Sequence, residues 1–200
     1  SPIRAGLAGV DSLNRMIQGR FRGQVRDLAQ AKPWDRKVPP PMGPHSILYG
    51  DKVINVQNAR RNDVWPKPDG EAYIANGDIG IVVGQYKGRN SRLRGAPWKV
   101  QVEFGGQPGH EYGFTRREFG DDRANPLELA YCLTVHKTQG SEFGITFIVL
   151  TNPCWLLSRE LLYTALTRHK QQLIIMHQGP FREYQRYSGD EYSEITKRLT

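Results

Sequence analysis

The chain has 200 residues, 28 Lys and Arg against 20 Asp and Glu for a formal charge of +8, and 38% apolar residues. That apolar share suits one or two folded domains and excludes a disordered chain, and the basic excess makes a polyanionic partner a lead without establishing one. Two cysteines without a CxxC pair and five histidines without ligand spacing exclude a disulfide scaffold and a zinc site, and no run approaches the ~18 apolar residues of a membrane span. A reducing cytoplasm is the expected compartment.

Residues 7–18, LAGVDSLNRMIQ, place Leu7, Val10, Leu13, Met16 and Ile17 at three- and four-residue steps, which predicts a short helix with those side chains on its buried face. Five prolines between 32 and 44 then predict an extended linker. From Ser46 to about Phe119 the text changes to short β-prone runs, ILYGDKVINVQN, YIANGDIGIVVGQY and WKVQVEFG, which predict a small all-β unit. Within it Asn76-Gly77 supplies a tight turn, and Ile79, Ile81 and Val83 alternate behind it as in a half-buried strand. The loops RRNDVWPKPDG and KGRNSRLRGAPW are open to two readings, solvated hairpin tips or a surface that meets phosphates and stacks on bases.

After Asn125-Pro126 the runs LELAYCLTV, ITFIVLT and QLIIMH alternate with a polar loop and a helical stretch from Ser158, the pattern of a parallel sheet covered by helices. The expected fold is therefore α/β, with the all-β unit inserted into it. The loop TVHKTQGSEF, expected at the carboxyl end of LAYCLTV, gathers Thr134, His136, Lys137, Thr138, Gln139, Ser141 and Glu142 around Gly140. It reads either as a solvated connection or as a phosphate contact. In SRELLYTALTRH, Leu157, Leu161, Leu162, Ala165 and Leu166 share a face and Ser158 is placed to cap it. Arg168 closes that helix before LIIM; such an arginine is either paired with an acidic neighbour or held for an anion.

LAYCLTVHKTQGSEF followed by LLSRELLYTALTRHKQQLIIM resembles the last two motifs of superfamily 1 helicases, in the RecD-like and TraA-like branch related to UvrD. SPIRAGLAGVDSLNRMIQ is similar to the start of the second RecA-like motor domain in that branch, and GDKVINVQN with NGDIGIVVG resembles the small barrel of the Src-homology-three type that the branch inserts there. The resemblance implies a partial RecA-like parallel sheet over 1–44 and 124–200, with the linker 32–44, and an SH3-like barrel over 45–123. It implies that Gln139, Gly140, Glu142 and Arg4 lie on the nucleotide side and that Arg168 reaches the γ-phosphate as an arginine finger. Thr134, His136, Lys137, Thr138 and Asn58 would then lie along single-stranded DNA.

It further implies an ATP-dependent DNA helicase that moves 5′ to 3′, using ATP and Mg2+. No GxxxxGK[ST] loop and no acidic magnesium motif occurs, and the chain opens with Ser1-Pro2 rather than Met. The expectation is a monomeric fragment, inactive alone, whose phosphate-holding RecA-like domain lies upstream in the same polypeptide and which itself holds no metal. The alternative is a non-catalytic nucleic-acid-binding or docking module of a relaxase or degenerate helicase; a third reading is a plain scaffold.

Overall fold

The computed structural model describes residues 1–30, 38–66, 72–87, 97–120, 125–151, 154 and 156–194. The fold is mixed α/β, in two compact units: Ser1–Leu13 with Cys132–Thr200, and Asn14–Tyr131. These bounds differ from the expected 1–44, 45–123 and 124–200, because the residues on either side of the β-rich stretch pack with it. No described helix is long and apolar enough to cross a membrane.

Helix α1, Val10–Gln30, is longer than the apolar spacing predicts, and of the expected face Val10 is buried and Leu13 and Ile17 half-buried. Leu7 is 98% and Met16 62% exposed, while Asn14 and Gln18 are buried. The reason is polar: Asn14 Nδ2 donates to the Leu129 carbonyl at 3.2 Å, and Gln18 Nε2 donates to Asp51 at 2.6 Å and to the Ser46 carbonyl at 2.9 Å. Hydrogen-bonding needs thus orient this helix, which apolar periodicity alone cannot foresee. The Asp51 carboxylate is fully buried and also accepts from Leu48 N at 2.8 Å and from the Tyr131 hydroxyl at 2.8 Å. Burial pushes its pKa above the ordinary carboxylate range despite those donors.

The Asn14–Tyr131 unit is built on strands β1 (Lys52–Asn55), β2 (Ala59–Arg60), β3 (Val64–Trp65), β4 (Tyr73–Ile74), β5 (Ile79–Lys87), β6 (Pro97–Phe104), β7 (Glu111–Thr115) and β8 (Leu127–Leu129). Six of them form one antiparallel sheet in the order β3-β7-β6-β5-β1-β8, and β2 pairs with β4. Among the described residues no pairing joins β3 to β8, so the sheet is open where a closed barrel is expected. Its core includes Val53, Val82, Val100, Val102, Phe104, Tyr112, Phe114 and Leu127, with the Phe104 and Tyr112 rings 5.8 Å apart edge to face. Arg61, itself buried, lies 3.9 Å over the Phe114 ring and pairs with Glu118.

The Asn76-Gly77 turn forms as expected, with Gly77 at φ +99, a conformation costly for any side chain. The phase of the strand behind it is reversed: Gly80, Val82 and Gly84 face the core, and Ile81 is 52% exposed. A Cβ on Gly80 would stand 2.5 Å from the Glu103 carbonyl, so glycine marks the inner face where strands approach closely. Parts of the two basic loops and of the proline-rich segment lie outside the described residues.

The other unit contains the βαβ element: β9 (Phe143–Leu150), α2 (Arg159–Leu166) and β10 (His169–His177), with β9 and β10 parallel. The run LELAYCLTV is not a strand of this sheet. Only Leu127–Leu129 is extended, as β8, and it pairs antiparallel with β1 through Val53 and Ile54. Leu157, Leu161 and Ala165 bury against Ile148, Leu150, Leu173 and Ile175, as the helical spacing predicts. Ser158 caps α2, its side chain accepting from Leu161 N at 3.1 Å. A short helix α3, Phe181–Gln185, follows, with Tyr184 buried in the same cluster.

Candidate nucleotide and nucleic-acid site

The polar loop begins where the chain leaves Val135, a buried side chain. His136–Thr138 form one 3₁₀ turn, closed by Lys137 N to Thr134 O at 3.1 Å and Thr138 N to Val135 O at 3.1 Å. Thr138 Oγ1 also donates to Val135 O at 2.7 Å, so its hydroxyl proton is committed to the turn. His136, Gln139 and Gly140 are exposed, Lys137 half-buried. Gly140 sits at φ +81 with open space where a Cβ would point, so backbone strain rather than crowding favours glycine there.

This loop runs into the amino end of β9, and Arg168 stands just before the amino end of β10. The sequence reading puts the loop at a carboxyl strand end; the structure corrects that, because the run ahead of it belongs to the antiparallel sheet. Arg168 is tied to the loop through its backbone, its carbonyl accepting from Phe143 N at 2.9 Å. Its side chain is half-buried and donates through Nε to Thr164 O at 3.1 Å, through one terminal nitrogen to Ser141 O at 3.4 Å, and through the other to Thr167 Oγ1 at 3.2 Å. All these acceptors are neutral. Among the described residues the guanidinium makes no ion pair, so of the two possibilities for Arg168, the paired one is not what this geometry contains.

The adjacent carboxylate is occupied. Glu142 accepts from Lys170 Nζ at 2.9 Å, both side chains being more than half exposed. Lys170, and more weakly Arg168, hold its carboxyl below the ordinary range. Lys170 is a neighbour that the sequence reading missed. Its signal was available, since it stands two residues beyond Arg168 where the paired strands begin.

Ser141, Glu142 and Arg168 are thus brought together, with Gln139 and Gly140 on the exposed rim and Thr134, His136, Lys137 and Thr138 on the preceding turn. Arg4 lies beside Asp11, with Nε 3.8 Å from its carboxylate. Asn58 belongs to the other unit, where its side chain accepts from Asn76 N at 2.7 Å and holds a hairpin. Among the described residues no group of three or more His, Cys, Asp or Glu could hold a metal ion. The arrangement can present one guanidinium, together with an exposed polar loop, to an anion such as a phosphate; it cannot coordinate a divalent cation by itself.

Residues 129–176 match the family described as the UvrD-like helicase C-terminal domain. The chain is 31% identical over 177 residues to the ATP-dependent RecD2 DNA helicase of Deinococcus radiodurans, a match covering 86% of this chain and 19% of that protein. It is 45% identical over 65 residues to the RecBCD enzyme subunit RecD of Haemophilus influenzae, covering 31% of this chain and 10% of that one. Among solved structures, a Pif1 helicase from Bacteroides in complex with ADP-AlF3 and ssDNA aligns with 74% of this chain and 36% of that chain, at 18% identity and a TM-score of 0.42. The chain therefore spans under a fifth of the length of these two sequence relatives.

Proposed function

We propose, from the premise that the chain carries a C-terminal domain of the superfamily 1, UvrD-like helicase family, that it is the carboxyl-terminal motor half of an ATP-dependent DNA helicase that moves 5′ to 3′ on single-stranded DNA. In this reading the βαβ unit is part of a second RecA-like domain, and the β-rich stretch is an insertion into it. The observation that carries the functional reading is Arg168: a half-buried guanidinium beside the Ser141 backbone, hydrogen-bonded only to neutral oxygens and bearing a charge that no described carboxylate neutralises directly.

Bound ATP supplies the phosphoryl group whose transfer to water drives the motor. Arg168 is the finger toward that group, and a guanidinium there stabilises the charge that builds up on the transferring oxygens. Thr164 O and Thr167 Oγ1 aim the finger by holding two of its nitrogens. Gln139, Gly140 and Glu142 line the nucleotide side, with Lys170 paired to Glu142, and Arg4 belongs to that side as well. The main phosphate contacts and Mg2+ fall to an upstream RecA-like domain of the same polypeptide. Thr134, His136, Lys137 and Thr138 form the DNA side of the same turn, and Asn58 contributes from the β-rich unit.

The test is Arg168→Ala in the full-length protein. ATP turnover is expected to fall on the order of 10³-fold or more while single-stranded DNA binding stays mostly intact. Unchanged turnover would overturn the finger role, whereas no turnover by the wild-type full-length protein would favour a non-catalytic DNA-binding module. The 200-residue chain alone is expected to bind single-stranded oligonucleotide weakly and in a salt-sensitive way, since a few cationic contacts release counterions and little else.

A further inference from the structure

Glu142 is the carboxylate best placed to neutralise Arg168, and it pairs elsewhere. Both of its chain neighbours are bonded to that arginine: the Ser141 carbonyl accepts from a terminal guanidinium nitrogen at 3.4 Å, and Phe143 N donates to the Arg168 carbonyl at 2.9 Å. The Arg168 charge is felt at the Glu142 carboxylate, behind that of Lys170. A carboxylate this near a guanidinium ordinarily binds it through two parallel hydrogen bonds, which are stronger than bonds to neutral acceptors. Instead the Arg168 side chain donates to three neutral oxygens, and Glu142 accepts from Lys170 Nζ at 2.9 Å.

Lys170 stands where the strand register breaks. His169 is opposite Phe143 and Gln172 opposite Ile145, so three steps along β10 match two along β9, and Lys170 and Gln171 share the place across from Gly144. An extra residue of this kind re-aims the side chains beside it. The resulting ion pair contributes little to stability, since its side chains are 62% and 58% exposed and ion pairs in water are weak. Its larger consequence is where the Glu142 carboxylate lies.

We propose that Lys170 is a positioning residue for Arg168: it draws the Glu142 carboxylate aside and so leaves the guanidinium charge available to the terminal phosphoryl of a bound nucleotide. The proposal rests on the reading of Arg168 as the finger. Without the Lys170 ammonium, Glu142 turns to Arg168, and an incoming γ-phosphoryl must displace a carboxylate before the guanidinium can serve it. ADP lacks that group and is indifferent to the exchange.

The experiment is a double-substitution cycle in the full-length protein, read as ATP turnover and as affinity for ADP and for a non-hydrolysable ATP analogue. Lys170→Met is expected to lower kcat/KM about three- to fivefold, the scale on which exposed ion pairs act, and to weaken the ATP analogue by a similar factor with ADP affinity unchanged. Lys170→Arg is expected to keep the wild-type values. Beside Glu142→Gln, which cannot form the competing ion pair, Lys170→Met is expected to cause no further loss. Equal losses from Lys170→Met in both backgrounds would overturn the proposal, because Lys170 would then act directly on the nucleotide or on the fold. So would the absence of any loss beside wild-type Glu142, or an equal weakening of ADP. Normal turnover by Arg168→Ala would remove the finger reading and the positioning role together; an inactive Arg168→Ala with a normal Lys170→Met would remove the positioning role alone.

Discussion

The two units meet the demand for a buried core in different ways. In the Asn14–Tyr131 unit six antiparallel strands pack side chains that are almost wholly inaccessible, Val82, Val100, Val102, Tyr112 and Phe114 among them, and Asn14 and Gln18 of α1 are buried in hydrogen bonds to this unit. In the unit of Ser1–Leu13 with Cys132–Thr200, one helix covers one face of two parallel strands, and Ile145, Phe147 and Met176 remain in solvent. The first buries its core although its sheet stays open. The second is open both at the apolar sheet face and at the strand ends where Arg168 stands. The contrast fits the proposed function, in which the site around Arg168 is completed by other chain segments.

The largest effect on this comparison comes from opening the core of the first unit. Phe104→Ala removes a side chain 1% exposed that touches both the Tyr112 and Phe114 rings, and is expected to cost about 3–5 kcal/mol in thermal or denaturant unfolding. Asp51→Ala comes next. It leaves Leu48 N–H, the Tyr131 hydroxyl and Gln18 without their buried acceptor, at an expected cost of about 2–3 kcal/mol. A loss below ~0.5 kcal/mol for Asp51→Ala would mean that the polar fastening of α1 is incidental. Ser158→Ala, in the open unit, removes the cap of α2 and is expected to cost about 1 kcal/mol, read as the melting shift against wild type.

The smallest effect is a difference of sign with pH. Burial raises the Asp51 pKa, so its contribution to stability is fully present below the unfolded value and is lost as pH rises through the native one. Glu160 in α2 is the reverse. The Ser193 hydroxyl, followed by backbone donors, lowers its pKa from 4.5 to about 2, so its contribution is present above 4.5 and disappears as pH falls from there through about 2. Glu160→Gln is expected to flatten the acid limb of the stability profile of the open unit between those values, and Asp51→Asn to leave that limb unchanged. A Glu160→Gln profile parallel to wild type through that window would remove the link.

Much of the candidate site was legible because it is contiguous. The turn His136–Thr138, Gly140 and the end of α2 are read in one pass along the chain, and the helix just before Arg168 has the spacing and cap that put its apolar side on a sheet. Lys170 and the Thr164 and Thr167 oxygens, which set the charge and aim around Arg168, were not singled out for these roles, since each is an ordinary polar residue until its neighbours are known. Asn58 was read with the DNA side, whereas its observed partner is the backbone of the Asn76-Gly77 turn.

By itself the sequence determined the βαβ order around Arg168 and the tight turn at Gly77, because periodicity, caps and positive-φ glycine act over a few residues. Tertiary structure alone decided which face each element buries and which sheet each strand joins. Leu127–Leu129 becomes a partner of β1, Ile81 turns outward while Gly80 turns in, and α1 buries amides in place of Leu7 and Met16. The reason is that partner choice depends on a carbonyl, a carboxylate or a close backbone contact tens of residues away, and local pattern contains no information about such distant atoms.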